Sequence, residues 1–349
     1  MKNNILILLA SSILILYIFL AGCIYQSNPS IPNQSIQKMI NNASDGETIY
    51  VSSGTYNENI IINKSIILKG ENKDNTFING LGDYVVLVNS DNCTIEGFNI
   101  INRDTEQTTI GIKINTNNTT IKNNTISYSN YGVILNQSSK GNNIFNNNIS
   151  NNKYGLFLLY SEENIVRNNV FINNEKGIYM THSNHNAVYM NNISDCGYGI
   201  SIVSSGNNNI SDNDIFSNNL YGIYFDIESS NNIVQLNSIS FNSLGIRIKG
   251  SYFNNVTKNI IEYNIKGVLT CCEANNNTIY KNIFSNNTDW NAENNNFNQW
   301  DYEGYGNFWD NYTGIDNNND GRGDTPYIFN GGMDNYPLIN KSWINKPKS

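Results

Sequence analysis

Charge is scarce in this chain: Asp, Glu, Lys and Arg make up 14% of its 349 residues, against roughly 25% in an ordinary globular domain. What charge there is sums to −8, and no run of lysine or arginine is interleaved with aromatics. That excludes a nucleic-acid partner held through its phosphates. Cysteine is scarce as well. Cys23, Cys93, Cys196, Cys271 and Cys272 are too few and too scattered for a disulfide framework, so stability has to come from a buried core. The vicinal pair Cys271-Cys272 could bind a soft metal or oxidise. Strand alternation, however, sends one side chain inward and the other outward, which predicts ordinary packing. Helical periodicity is missing too, and together with the many β-branched residues this disfavours a helical or leucine-rich repeat.

Asparagine is what the chain has in excess, filling roughly a fifth of it. A polar, uncharged composition can mean disorder, but 39% of the residues are hydrophobic. They are rich in isoleucine and regularly placed, which supplies enough apolar surface for a core.

The N-terminus is an apolar run, Ile5 to Leu20, followed by Ala21-Gly22-Cys23. The run is short for a stable span and suits the h-region of an export signal. It resembles the lipobox of prokaryotic lipoproteins, which implies cleavage before Cys23 and lipidation of that residue. The alternative is an uncleaved anchor helix continuing to Tyr25 through Tyr17 and Phe19. Either way the chain is expected to be exported and held at the outer face of the cytoplasmic membrane, in a periplasm or at the cell surface. Residues 24–34, with Pro29 and Pro32, read as a tether.

Self-similarity dominates the rest. A glycine followed by apolar-x-apolar recurs at Gly111, Gly132, Gly155, Gly177, Gly199, Gly222, Gly245 and Gly267, at spacings of 21, 23, 22, 22, 23, 23 and 22. Period-two alternation points two rows inward: Ile112, Val133, Leu156, Ile178, Ile200, Ile223, Ile246 and Val268, then Ile114, Leu135, Leu158, Met180, Ile202, Phe225, Ile248 and Thr270. Two further apolar points recur. Ile126, Ile149, Phe171, Ile193, Phe216, Ile239 and Ile261 lie six residues before the glycine. Ile121, Ile144, Ile165, Ala187, Ile210, Ile233, Val256 and Ile279 lie ten to twelve after it. Three short strands per coil of roughly 22 residues, each stacked about 4.8 Å from its copy, make an all-β, single-stranded parallel β-helix. Asn143, Asn164, Asn186, Asn209, Asn232 and Asn255 are expected to stack as amide ladders.

The ends follow the same logic. Ile36, Met39, Ile40 and Ala43 share one helical face behind a Ser35 cap and can plug the open core. Residues 35–290 read as the β-helix, 291–340 as a cap built on Trp300, Phe308, Trp309, Tyr312, Tyr327 and Tyr336, and 341–349 as a tail.

The opening pattern is helix, Asp45-Gly-x-Thr-Ile-x-Val, Gly54-Thr-Tyr, then Ile66-x-Leu-x-Gly. With the run of Asn-Asn-x-Ile and Tyr-Gly-Ile segments, it resembles the NosD-type branch of the pectin-lyase-like superfamily, whose coils are grouped as carbohydrate-binding and sugar-hydrolase repeats. The stretch Gly306-Asn-Phe-Trp-Asp to Asp324-Thr-Pro-Tyr, then Asp334-Asn-Tyr-Pro, is similar to the closing module of exported NosD-like proteins. The resemblance covers roughly residues 35–340 and implies a right-handed parallel β-helix. Its members include lyases, hydrolases, epimerases, structural proteins and accessory proteins of copper-enzyme maturation, so it does not by itself choose a function.

Three constellations carry chemistry. Asp316, Asn318, Asp320 and Asp324, with the Arg322 carbonyl and Gly321 at the turn, reproduce most of a calcium loop without its final bidentate glutamate; a remaining oxygen could come from Asp334. On the strand after each glycine, Phe157, Tyr179 and Tyr224 point outward, with Arg247 one coil beyond Tyr224, a surface suited to an extended glycan. Next to it Asp226, Arg247 and Lys249 cluster. They could serve proton abstraction in a uronate-acting enzyme, but an ion pair explains them as well. No second aspartate sits beside Asp226 on this sheet face as an inverting hydrolase would want; Glu228, two residues on and near the bend, leaves hydrolysis open. Copper, implied by the resemblance, would have His182, His185, Met180 and Met190 as donors; Met180 lies in an inward row and Met190 in the next turn, so these are not expected to converge. The reading favoured is a non-catalytic, anchored β-helix that binds or scaffolds carbohydrate or envelope components. A polysaccharide lyase, epimerase or hydrolase is the alternative, and a copper-maturation accessory protein a further one.

Overall fold

The computed structural model describes residues 34–104, 108–136 and 138–341. The signal segment and Cys23 lie outside them, as do most of the tether and most of the C-terminal tail. No helix among the described residues is long and apolar enough to cross a membrane.

Each coil contributes one strand to each of three parallel sheets, so that a strand pairs with the strand three places earlier in the chain until the far end, where Phe308–Trp309 pairs with Ile283–Ser285, two places earlier. The first sheet has eleven strands, from Thr48–Val51 to Thr278–Tyr280. The second has twelve, from Gly54–Tyr56 to Phe308–Trp309, and the third eleven, from Ile60–Ile62 to Trp290–Asn294. The core is one continuous column of side chains inside this three-sided tube, nearly all of them fully buried.

Both inward rows after the glycine are where alternation puts them, including Met180 and Thr270, each 0% exposed. The glycine column itself has a steric cause. A Cβ on Gly199 would meet the Gly222 carbonyl oxygen at 2.5 Å, and Gly132, Gly155, Gly177, Gly222 and Gly245 each face the next glycine in the same way.

The other two rows need correction. At Ile165-Val166, Ala187-Val188 and Ile233-Val234 two adjacent apolar residues compete, and the second of each pair is the inward one, in register with Ile144 and Ile210. Ile165 and Ile233 are instead exposed. Likewise Ile215, not Phe216, pairs with Ile193 and Ile239. The extra residue of that coil falls in the turn after the strand, so counting back from the glycine overshoots by one.

The amide ladders are real, and there are three. Two residues before each inward point of the first sheet run Asn142, Asn164, Asn186, Asn208, Asn232, Asn254 and Asn277. From Asn164 on, each Oδ1 accepts both the main-chain N–H and the side-chain N–H of the asparagine one coil earlier, at 2.9–3.1 Å. Asn143, Asn209 and Asn255 lie one position past this ladder, on the outer side of Asn-Asn doublets. A second ladder runs from Asn124 through Asn147, Asn169, Asn191, Asn213, Asn237, Asn259 and Asn282 to Asn307. In the third, Asn152 bonds to Asn174 and Asn218 to Asn242 and Asn264, with the buried Cys196 standing between. The ladders satisfy turn amides that the tube would otherwise bury without partners. The residue just before a ladder asparagine takes the left-handed conformation at the corner, for example Asn146, Asn168 and Asn207, and asparagine tolerates it.

Both ends are closed. Helix α1 (Ile36–Asn42) buries Ile36 and Ile40 over the first coil; the Ser35 hydroxyl accepts from the Lys38 N–H, and the Glu58 carboxylate accepts from the Ile36 and Gln37 N–H groups. At the far end Trp309 stacks on Phe284 with centroids 4.4 Å apart, and the hairpin of Tyr327–Phe329 and Gly332–Asp334 lies over it, Tyr327 at 4.5 Å.

Candidate functional site

The outer face of the third sheet gathers the candidate ligand residues. Alternation predicts outward columns two and four residues after each glycine. The structure adds a third column, the residue immediately before the glycine. The strand buries two consecutive positions there, the glycine and its successor, so the residue before and the residue two after share the outer face. Tyr131, Tyr154, Lys176, Tyr198 and Tyr221 therefore join Phe157, Tyr179, Tyr224 and Arg247. The repeated Tyr-Gly dipeptide signalled this column; strict period-two counting hides it.

The rings make a nearly continuous layer. Tyr131 stacks on Tyr154 at 5.1 Å, both lie 5.4 Å from Phe157, and Phe157 lies 5.1 Å from Tyr179. Farther along, Tyr221 stacks on Tyr224 at 5.0 Å and Tyr198 lies 5.3 Å from Tyr221. Lys176 sits between these two groups, its Nζ 4.2 Å from the Tyr179 ring centroid, 5.2 Å from Tyr198 and 5.4 Å from Tyr154. Burial among the rings pushes its pKa below the ordinary lysine value. Arg247 ends the layer, donating from Nη1 to the Tyr221 hydroxyl at 2.7 Å, its guanidinium 5.5 Å and 5.7 Å from the Tyr221 and Tyr224 centroids.

Asp226, Arg247 and Lys249 do not act as one group. Asp226 pairs with Lys249 at 3.0 Å, whereas Arg247 turns towards Tyr221 and, through Nη2, towards the Cys271 sulfur at 3.7 Å. Burial first, then the Asp226 carboxylate, raises the Tyr224 pKa far above that of free tyrosine. Tyr224 is therefore held protonated and is a poor proton acceptor. Glu228 lies beyond the strand, exposed, in a left-handed turn.

The loop of Asp316, Asn318, Asp320, Arg322 and Asp324 is closed on itself. Asp316 accepts from the N–H groups of Asp320 (3.1 Å) and Gly321 (2.9 Å), Asp320 from Arg322 N–H (2.9 Å), and Asp324 from Asn317 N–H (3.0 Å). Gly321 has φ +84°, as the turn requires. The donors are all hard oxygens, the chemistry that suits calcium. Asp334 is not among them. It is 0% exposed beneath the last coil, where its carboxylate accepts from the Asn307 N–H at 2.7 Å, the Trp309 indole at 2.8 Å and the Tyr336 N–H at 3.0 Å. It thus ends the second amide ladder, and burial raises its pKa to about 6.

For a soft metal the donors divide sharply. Met180 is sealed in the core, His182 stacks on Tyr160 at 4.7 Å, and Met190 is exposed at another corner. Among the described residues no three His, Cys, Asp or Glu side chains converge. Cys271 and Cys272 do approach each other, contrary to strict alternation. The strand ends at Cys271, and Cys272 takes φ +55°, which swings its sulfur to 3.1 Å from that of Cys271. Two paired thiols fit a low-coordinate soft ion such as Cu(I) and do not fit a tetrahedral centre.

A family model described as periplasmic copper-binding protein (NosD) matches residues 40–243 and 210–314. No curated protein matches the chain in sequence. Among solved structures, the A-module of the mannuronan C-5 epimerase AlgE4 from Azotobacter vinelandii aligns over 73% of this chain and 86% of its own, at 15% identity and TM-score 0.64. The AlgE6 A-module from the same organism aligns over 78% and 86%, at 15% identity and TM-score 0.60. The Dettilon tailspike protein aligns over 75% of this chain and 59% of its own, at 15% identity and TM-score 0.60. At this identity the likeness is one of fold alone, the parallel β-helix.

Proposed function

The chain belongs to the NosD family, and from that premise we propose that it is an exported, non-catalytic β-helix that binds an acidic polysaccharide lengthwise along the outer face of its third sheet. The observation that carries this reading is the aromatic layer from Tyr131 to Tyr224 with two cations, Lys176 and Arg247, seated in it. Ring faces take up the apolar faces of sugar rings, and the cations meet carboxylates or sulfates. Stacked coils about 4.8 Å apart repeat that pattern along the tube. Asp226 is engaged by Lys249 and Tyr224 keeps its proton, which supports binding rather than turnover. The family's periplasmic description accords with export; the N-terminal segment, lipidated at Cys23 or left as an anchor, holds the protein at the membrane. Calcium in the Asp316–Asp324 loop stabilises the cap.

The test is calorimetric titration of the full chain with a polyuronate and with a neutral glucan. The expectation is salt-sensitive binding of the polyuronate alone, weakened about tenfold or more by each of Lys176→Ala, Tyr224→Ala and Arg247→Ala, since about 1.4 kcal/mol per contact is a factor of ten. Equal affinity for both polymers, or survival of binding in all three variants, overturns the reading. Release of unsaturated or shortened oligosaccharides overturns its non-catalytic part.

A further inference from the structure

We propose that Cys271 and Cys272 are a reversible dithiol–disulfide couple whose reduced form is held by Arg247. The inference is independent of glycan binding. Cys271 ends the strand Lys266–Cys271, and Cys272 and Glu273 follow it into a tight turn, closed by the Ala274 N–H donating to the Cys271 carbonyl at 3.2 Å. Both turn residues are left-handed, with φ +55° and +67°. Among the described residues no other two consecutive non-glycine residues share that conformation, and such strain persists only where the surroundings impose it. The turn folds the Cys272 side chain back on its neighbour, so that the two sulfurs lie 3.1 Å apart. Cys272 is exposed and free to reorient about χ1, while Cys271, 7% exposed, is fixed by its strand pairing.

These positions divide the steps of thiol–disulfide exchange. The exposed Cys272, as thiolate, attacks a small-molecule disulfide, RSSR, forming a mixed disulfide and releasing one RSH. Cys271 then attacks the Cys272 sulfur and displaces the second RSH. The protein thiols are oxidised, the external disulfide is reduced, and the protons of the two cysteines leave on the two released thiols. Neighbouring Cα atoms are about 3.8 Å apart, less than the roughly 4.4–6.8 Å that a relaxed disulfide spans. The ring therefore closes under strain and reopens in excess thiol. Arg247 sets the balance: its Nη2 donates to the Cys271 sulfur at 3.7 Å, which favours thiol and thiolate over a neutral disulfide sulfur. By linkage, closing the ring loosens that contact of a guanidinium whose Nη1 is also bound to the Tyr221 hydroxyl. Cys93 and Cys196 are each buried, out of reach of an external disulfide. The family's periplasmic description accords with a compartment in which disulfides persist.

The experiment equilibrates the chelator-treated full chain with mixtures of reduced and oxidised glutathione under argon, quenches with iodoacetamide in denaturant and digests with trypsin. Residues 267–281, between the tryptic sites at Lys266 and Lys281, carry both thiols and no other cysteine, so the mass of that peptide reads the state of the pair. The expected result for the wild type is conversion from a doubly alkylated peptide to an unalkylated one lighter by the two thiol hydrogens, reversed by added reduced glutathione. Cys271→Ser should stop at a glutathione adduct on Cys272, and Cys272→Ser should leave Cys271 alkylated throughout. Arg247→Ala, its folding checked by circular dichroism, should shift the half-conversion mixture roughly three- to tenfold toward reducing conditions. A wild-type peptide that stays doubly alkylated, or that ends as a glutathione adduct, overturns the proposal. So does a half-conversion point that Arg247→Ala leaves in place or moves the other way.

Discussion

Adjacent asparagines with opposite fates give the sharpest test of the ladder. Asn208 is 1% exposed. Its Oδ1 accepts from the Asn186 N–H at 2.9 Å and the Asn186 amide at 3.1 Å, and its own amide donates to the Ser183 carbonyl and the Asn232 Oδ1, both at 3.0 Å. Truncation to alanine leaves the Asn186 N–H and the Ser183 carbonyl buried without these partners. Each orphan costs about 1–3 kcal/mol, so Asn208→Ala should destabilise by about 2–6 kcal/mol. Asn209 is exposed, and Asn209→Ala should stay within about 0.5 kcal/mol of wild type. Asn208→Asp adds a sign. A carboxylate still accepts from Asn186 but turns an oxygen on the Asn232 Oδ1, so the variant should be weaker at neutral pH and recover in part when acid restores a donor. Denaturant midpoints compared at a common slope measure all three. Hydrogen exchange should place the loss in neighbouring coils, because solenoid repeats are coupled to their nearest neighbours. Equal stabilities of Asn208→Ala and Asn209→Ala would refute the ladder register.

Asp334 should make the cap pH-dependent. Its folded pKa of about 6 lies above the 3.8 of an ordinary aspartate, so the folded state holds the extra proton between those values and cap stability falls as pH rises through that window; Asp334→Asn should flatten the dependence, read from the fluorescence of Trp300 and Trp309. Gly199→Ala should cost about 1–3 kcal/mol in chemical denaturation, because its Cβ would sit 2.5 Å from the Gly222 carbonyl oxygen and the packed coils must shift; a neutral result would refute the steric account of the glycine column. Calcium at a hundredfold excess over its Kd should stabilise the cap by about 2.7 kcal/mol, an increment that chelation removes and Asp320→Ala abolishes; a melting temperature indifferent to both would dismiss the calcium loop.

Much of the fold was readable from the sequence because a solenoid writes one constraint many times. The glycine column and the two rows behind it recur with little variation, and each inward residue is checked by its copies one coil away. Where a turn gains a residue the check fails locally. Ile165-Val166, Ala187-Val188 and Ile233-Val234 offer two apolar residues to one inward position, and only strand pairing decides between them. The Asn-Asn doublets pose the same problem in polar form, which is why Asn208 and Asn209 cannot be told apart by periodicity.

The outer face was less legible for a related reason: inward positions answer to the core, whereas outward ones answer only to their neighbours across strands. Phe157, Tyr179 and Tyr224 could be placed outward by counting, but the cage around Lys176 depends on the broken alternation at Gly177, and its meaning depends on Tyr154 and Tyr198 one coil to either side. The same break governs the thiols. Counting sends Cys271 and Cys272 to opposite faces, yet a strand that stops at Cys271 and a corner that turns left-handed bring the two sulfurs within 3.1 Å, the buried one beside Arg247 and the other exposed. In this tube the candidate chemistry therefore collects where the period is interrupted, at the glycine kink and at the corners. There side chains are released from the core's alternation, and residues from successive coils, distant in sequence, become contacts.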